Sequence, residues 1–123
     1  SRGQRAMVSI VIGLASNTEL LLLDEPYVGL DTHNTDVFYR HLLAQADSKR
    51  TIVMATHHIE DAAKVLDSAV ILGRDGVVAK QCVPEDADAF AVAGPELVPL
   101  DDAPRHARAA KFDDLIEHVL EVS

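Results

Sequence analysis

The sequence predicts an α/β domain built on a parallel or mixed sheet with flanking helices, and three observations lead there. An apolar stretch from Gln4 to Ala15 has helical length and little polar face. A run of four leucines, Leu20 to Leu23, has the length and composition of a fully buried strand and stops at Asp24-Glu25-Pro26. A helical stretch, Thr32 to Ala46, then separates that strand from the β-branched run Thr51 to Ala55.

Taken in order, each element has its own signal. In the first helix Met7, Val8, Ile10, Val11, Ile12 and Leu14 predict a mostly buried cylinder, broken by Asn17-Thr18. Pro26 has no amide hydrogen to give a ladder, so the leucine strand ends there and leaves two carboxylates at its carboxyl end. In the second helix Val37, Phe38, Leu42 and Ala46 share a face, and Thr32 is the expected N-cap. Asp47-Ser48-Lys49 is a polar turn before the Thr51 strand. A short helix from Ile59 to Leu66 follows. Ala69 to Leu72 and Val77 to Ala79 flank Gly73-Arg74-Asp75-Gly76, whose Asp-Gly pair signals a hairpin. From Pro84 to Pro104 prolines, acids and alanines dominate, which reads as a linker or a loosely structured lobe. Phe112, Leu115, Ile116, Val119 and Leu120 then recover the spacing of an amphipathic helix.

The carboxyl edge of a parallel sheet is where α/β proteins bind ligands. Two adjacent carboxylates there can divide the work of nucleotide hydrolysis, one holding Mg²⁺ and the other polarising the attacking water. The same residues also describe a core strand that ends in a solvated acidic turn.

Four segments resemble, in order and spacing, the nucleotide-binding domain of ATP-binding-cassette (ABC) ATPases. Ser1-Arg2-Gly3-Gln4-Arg5 looks like the family signature, usually written LSGGQ, with Arg2 in place of a glycine. Leu20 to Glu25 looks like the Walker B strand, Gly29-Leu30-Asp31 like the D-loop, and Thr56-His57 like the switch-histidine loop. The resemblance runs from Ser1 to about Cys82. It implies that Asp24 is the metal ligand for Mg²⁺, that Glu25 is the catalytic base, and that His57 contacts the γ-phosphate. It also implies that Ser1, Gly3 and Gln4 recognise ATP held by the opposite subunit, and that Asp31 bridges the two subunits. Residues 1–83 are then the C-terminal part of an ABC ATPase domain, and 84–123 a C-terminal linker and helix.

No glycine of the six is followed by lysine, so the sequence holds no G-x-x-x-x-G-K-[ST] phosphate loop. In the family that loop precedes the signature, so the chain is expected to be the C-terminal part of a longer protein. Other departures are His58 where aspartate is common, Tyr27 where threonine is common, and Ile12-Gly13 where many relatives carry Arg-Ala. His57 and His58 do not form a metal pair, because adjacent residues rarely converge on one ion and no third ligand lies at helical spacing. Glu60 and Asp61 suit the first turn of the following helix.

Composition sets the outer limits. At 123 residues and 48% hydrophobic content the chain can bury a core. A net charge of −9 opposes non-specific binding to nucleic acid or to a membrane surface. Cys82 is alone, so no internal disulfide forms, which fits a reducing compartment. The longest apolar run, Met7 to Ala15, is too short to span a bilayer. The resemblance therefore implies an ATP-hydrolysing subunit of a bacterial ABC transporter, in the cytoplasm and peripheral to the membrane. Its expected partners are a second ABC ATPase domain, identical or not, and transmembrane permease subunits, without nucleic acid. The alternatives are a soluble, non-transport ABC ATPase and an inactive truncated fragment of the fold.

Overall fold

The computed structural model describes residues 2–16, 18–45 and 49–123, and the side chains of residues 2–4, 6 and 7 lie outside that description. Two compact units divide the chain, Ser1–His57 and His58–Ser123.

The first unit is a βαβ unit preceded by a helix. Helix α1 spans Arg2–Ala15, strand β1 Leu20–Asp24, helix α2 Thr32–Gln45 and strand β2 Thr51–Ala55. β1 and β2 pair in parallel, from Leu20 opposite Thr51 to Asp24 opposite Ala55. α2 is the crossover such a pair requires. Phe38, Tyr39 and Leu42 form its buried face, and the Phe38 and Tyr39 rings meet at 5.1 Å in a tilted arrangement. Its expected last residue, Ala46, lies outside the described residues.

Two expectations about burial need correction. β1 is not buried throughout: Leu21 is buried, but Leu20 and Leu22 are more than half exposed. Successive strand side chains point to opposite faces, and α1 covers only the Leu21 face, where Gly13 lets the helix come close. A Cβ on Gly13 would lie 3.4 Å from Leu21 Cδ1. α1 itself buries a stripe through Ile10 and Leu14, while Val8, Val11 and Ile12 stay exposed. Its carboxyl end is held by Arg50, whose guanidinium donates to the Leu14 carbonyl at 2.8 Å and the Gly13 carbonyl at 2.9 Å. Gln45 Oε1 and Ser16 Oγ take further bonds from it, both at 3.0 Å.

In the second unit helix α3 spans Ile59–Ala62, shorter than the predicted Ile59 to Leu66. Strands β3, Ala69–Leu72, and β4, Val78–Cys82, form the expected antiparallel hairpin, with Gly76 at φ +78° in its turn. The stretch after Pro84, expected as a linker or a loosely structured lobe, holds regular short elements. A 3₁₀ turn at Pro84–Ala89 leads into β5, Phe90–Ala93, which pairs antiparallel with β6, Glu96–Pro99, across Gly94-Pro95. A second 3₁₀ turn, Leu100–Asp102, precedes β7, Arg108–Ala109, on the other side of β5. Gly94 takes φ +61°, a conformation glycine adopts without penalty.

Helix α4, Phe112–Val122, closes this unit as its spacing predicts. Phe112, Leu115, Ile116 and Val119 pack with Ile71, Cys82 and Ala87 in one core. Each large side chain buried there contributes about 1.5–3 kcal/mol. Among the described residues no helix is long and apolar enough to cross a membrane.

Candidate functional site

The register of β1 and β2 builds the site. Because Asp24 lies opposite Ala55, the chain leaves both strands at one level. One further ladder bond, from the Glu25 amide to the Ala55 carbonyl at 2.8 Å, holds Glu25 against the end of β2. Thr56 and His57 therefore come up beside Glu25, 32 residues earlier in sequence than His57. Pro26 then turns the chain, and amide bonds from Val28 to the Glu25 carbonyl at 3.2 Å and from Leu30 to the Tyr27 carbonyl at 2.9 Å fix that turn. Gly29, at φ +87°, completes it.

Glu25 is the most constrained of the predicted site residues. Its φ of +43° is in the left-handed region, uncommon for a residue with a side chain and found where surrounding structure imposes it. Its carboxylate takes three bonds. Oε1 meets His57 twice, at the backbone amide (3.1 Å) and at ring Nδ1. Oε2 accepts from the Tyr27 hydroxyl, which in turn accepts from Thr56 Oγ1 at 2.9 Å. Burial pushes the Glu25 carboxyl up, but the bonds from Tyr27 and His57 and the nearby imidazole outweigh it and hold the group below its usual value. Burial, and next the Glu25 bond, push the Tyr27 phenol up. An ionised carboxylate has about four lone-pair sites. With three taken, one on Oε2 remains for a water.

The other predicted residues are less closely gathered. Asp24 ends β1 with its carboxylate exposed. As a hard oxygen donor beside Glu25 it fits Mg²⁺, which binds through one or two carboxylates and completes its shell with waters and substrate phosphates. Among the described residues no group of three or more His, Cys, Asp or Glu side chains is placed to hold a metal, so the protein would offer the ion Asp24 and not a closed cage. Asp31 caps α2: its Oδ1 accepts the Asn34 amide at 2.8 Å, and its carbonyl accepts the Thr35 hydroxyl. This corrects the expectation that Thr32 is the cap, since a carboxylate one residue earlier reaches the open amides of the first turn. Ser1 lies outside the described residues, and Gly3 and Gln4 are described only as part of the first turn of α1. His58 precedes α3 without a side-chain capping bond.

An open cleft runs along this end of β1, lined by Ser9, Ile10, Gly13 and Leu21 through Pro26. Tyr27 is the member of the site that the sequence reading passed over. The signal available was a phenol beside an acidic pair, at a position where threonine is common. What the sequence does not display is its second partner, Thr56, which the strand register delivers.

No protein-family model matches the chain. Similarity to known proteins is nevertheless extensive. The energy-coupling factor transporter ATP-binding protein EcfA3 of Oenococcus oeni is 37% identical over 86 residues, 70% of this chain and 30% of that protein. EcfA2 of Geobacillus kaustophilus is 37% identical over 111 residues, 81% of this chain and 37% of its own length. A putative ABC transporter ATP-binding protein of Methanosarcina acetivorans is 37% identical over 76 residues, 61% of this chain and 27% of its own. The chain spans about a third of the length of these relatives.

Proposed function

We propose, for a chain that carries part of an ABC-type ATPase domain, that Glu25 and His57 are the hydrolytic pair of an ATP-driven transporter subunit. The observation that carries this reading is the contact itself: residues 32 positions apart meet at the carboxyl end of two parallel strands. That edge is where α/β proteins place ligands. Similarity to the energy-coupling factor ATP-binding proteins supports ATP as substrate and a transport role.

In this reading Glu25 orients or deprotonates the water that attacks the γ-phosphate. Its carboxyl, held below the usual value, is ionised at neutral pH and offers its remaining Oε2 lone pair to orient the water. His57 holds the Glu25 carboxylate from one side and presents its ring toward the phosphate. Asp24 holds Mg²⁺, which when bound neutralises charge on the phosphate oxygens. Ser1, Gly3 and Gln4 serve the ATP of the opposite subunit, and Asp31 lies in the bridge between subunits. The phosphate loop is supplied from outside residues 1–123, and permease subunits hold the ATPase at the inner face of the membrane.

The test is Glu25→Gln in the whole ATPase that contains these residues. The amide keeps the shape and removes the base, so ATP should still bind and hold a slowly turning dimer, visible by size-exclusion chromatography with ATP. Turnover should fall by roughly 10²–10⁴. Unchanged turnover would remove Glu25 from the catalytic role.

A further inference from the structure

We infer that Tyr27 is a positioning residue for the hydrolytic carboxylate, its hydroxyl locking Glu25 into one orientation by a relay that begins at Thr56. The inference rests on the reading of Glu25 as the base. It adds a residue that the pairing of Glu25 with His57 does not require.

Three features of the site point to it. Tyr27 is 7% exposed, so its ring is held by packing, and both bonds of its hydroxyl are part-buried. That hydroxyl spends its proton on Glu25 Oε2 and its lone pair on the proton of Thr56 Oγ1, at 2.9 Å. A phenol that donates one way and accepts the other is directional: the Thr56 bond selects the rotor in which the phenol donates to the carboxylate. The Glu25 backbone, at φ +43°, places the carboxylate where both Tyr27 and His57 reach it. A carboxylate held at one oxygen by His57 alone could still swing about its χ3 axis. Held at the other by Tyr27 it cannot, and the remaining lone pair on Oε2 points in one direction. Fixing the acceptor for a reacting water in this way is worth large factors in rate, since small misplacements of reacting groups are expensive.

Phenylalanine removes the hydroxyl and keeps the ring, so Tyr27→Phe isolates the relay from the packing. In the whole ATPase, steady-state kinetics should show kcat reduced roughly 10- to 100-fold with the KM for ATP within about twofold of the unsubstituted protein. Thr56→Val should lower kcat in the same direction but less, and Thr56→Ser, which restores the donor, should recover it. The decisive arm repeats Tyr27→Phe in a Glu25→Gln background under single-turnover conditions. If Tyr27 acts through the carboxylate, the second substitution adds nothing there. An equal loss in both backgrounds, a KM effect without a kcat effect, or an unchanged kcat would each overturn the inference. Full activity of Glu25→Gln by itself would instead overturn the reading of Glu25 as the base, so the two failures are distinguishable.

Discussion

Asp31 shows how one side chain can serve a local structural need at a position that the family resemblance assigns to a subunit bridge. Its Oδ1 takes the Asn34 amide, one of the open donors in the first turn of α2. Asp31→Ala should destabilise the protein by about 1 kcal/mol in urea unfolding, and Asp31→Asn should recover most of that loss. Gly76 makes a simpler case. Its φ of +78° is the reason for glycine there, because nothing lies within 4 Å of an added Cβ. Gly76→Ala should therefore cost about 1–2 kcal/mol through backbone strain and not through a clash, again read from urea unfolding. The placement of Glu25 and His57 just past the ends of two strands was legible from the sequence because motifs mark both ends, but their mutual contact was not. The Tyr27–Thr56 bond was not, because it depends on the register that sets Asp24 opposite Ala55, and register is a property of two strands together.

Elements in this protein are tied down by charged side chains at their ends. Arg50, just before β2, gathers the last carbonyls of α1 with its guanidinium, which complements the negative end of the helix as well as its open acceptors. Arg50→Ala should destabilise the first unit by about 1.5–3 kcal/mol. Hydrogen exchange should accelerate in the last turn of α1. At the start of α4, Asp114 accepts two bonds from Arg108, at 2.8 and 2.9 Å, and one from the Lys111 amide at 2.8 Å. The Arg108 bonds first, with the Lys111 amide in support, hold its carboxyl below the usual value against the opposing effect of burial. A depressed carboxyl adds stability above its unfolded pKa, and that stability disappears as pH falls through the folded pKa. Asp114→Asn should accordingly lower the thermal midpoint at pH 7, with the difference closing in strongly acidic buffer.

At this same scale the sequence displays its elements unevenly. Helix α4 was visible because Phe112, Leu115, Ile116 and Val119 repeat at helical spacing over about two turns. The β5–β6 hairpin was not, because its strands are four residues each and alanine supplies half of β5. Most of the acids that gave the region a linker's composition sit in its two 3₁₀ turns, Glu85, Asp86 and Asp88 in the first and Asp101 and Asp102 in the second. The remaining signal was Gly94-Pro95 between two short apolar runs, a two-residue turn of the kind hairpins use.

At the scale of the whole molecule, the proposed reading assigns Glu25, His57 and Asp24 to hydrolysis, while residues 1–123 hold no G-x-x-x-x-G-K-[ST] sequence whose amides and lysine would cradle phosphates. Residues 1–123 alone should therefore bind no ATP measurable by calorimetry, and micromolar binding would contradict this. In the proposed reading Glu25 and His57 act as one hydrolytic unit, and the sharpest test is a double-mutant cycle on kcat in the whole ATPase. Glu25→Gln and His57→Ala should each lower turnover, by roughly 10²–10⁴ for the glutamate, and the double substitution should be no slower than the worse single one. Losses that multiply, or a histidine substitution that leaves the rate unchanged, would contradict it.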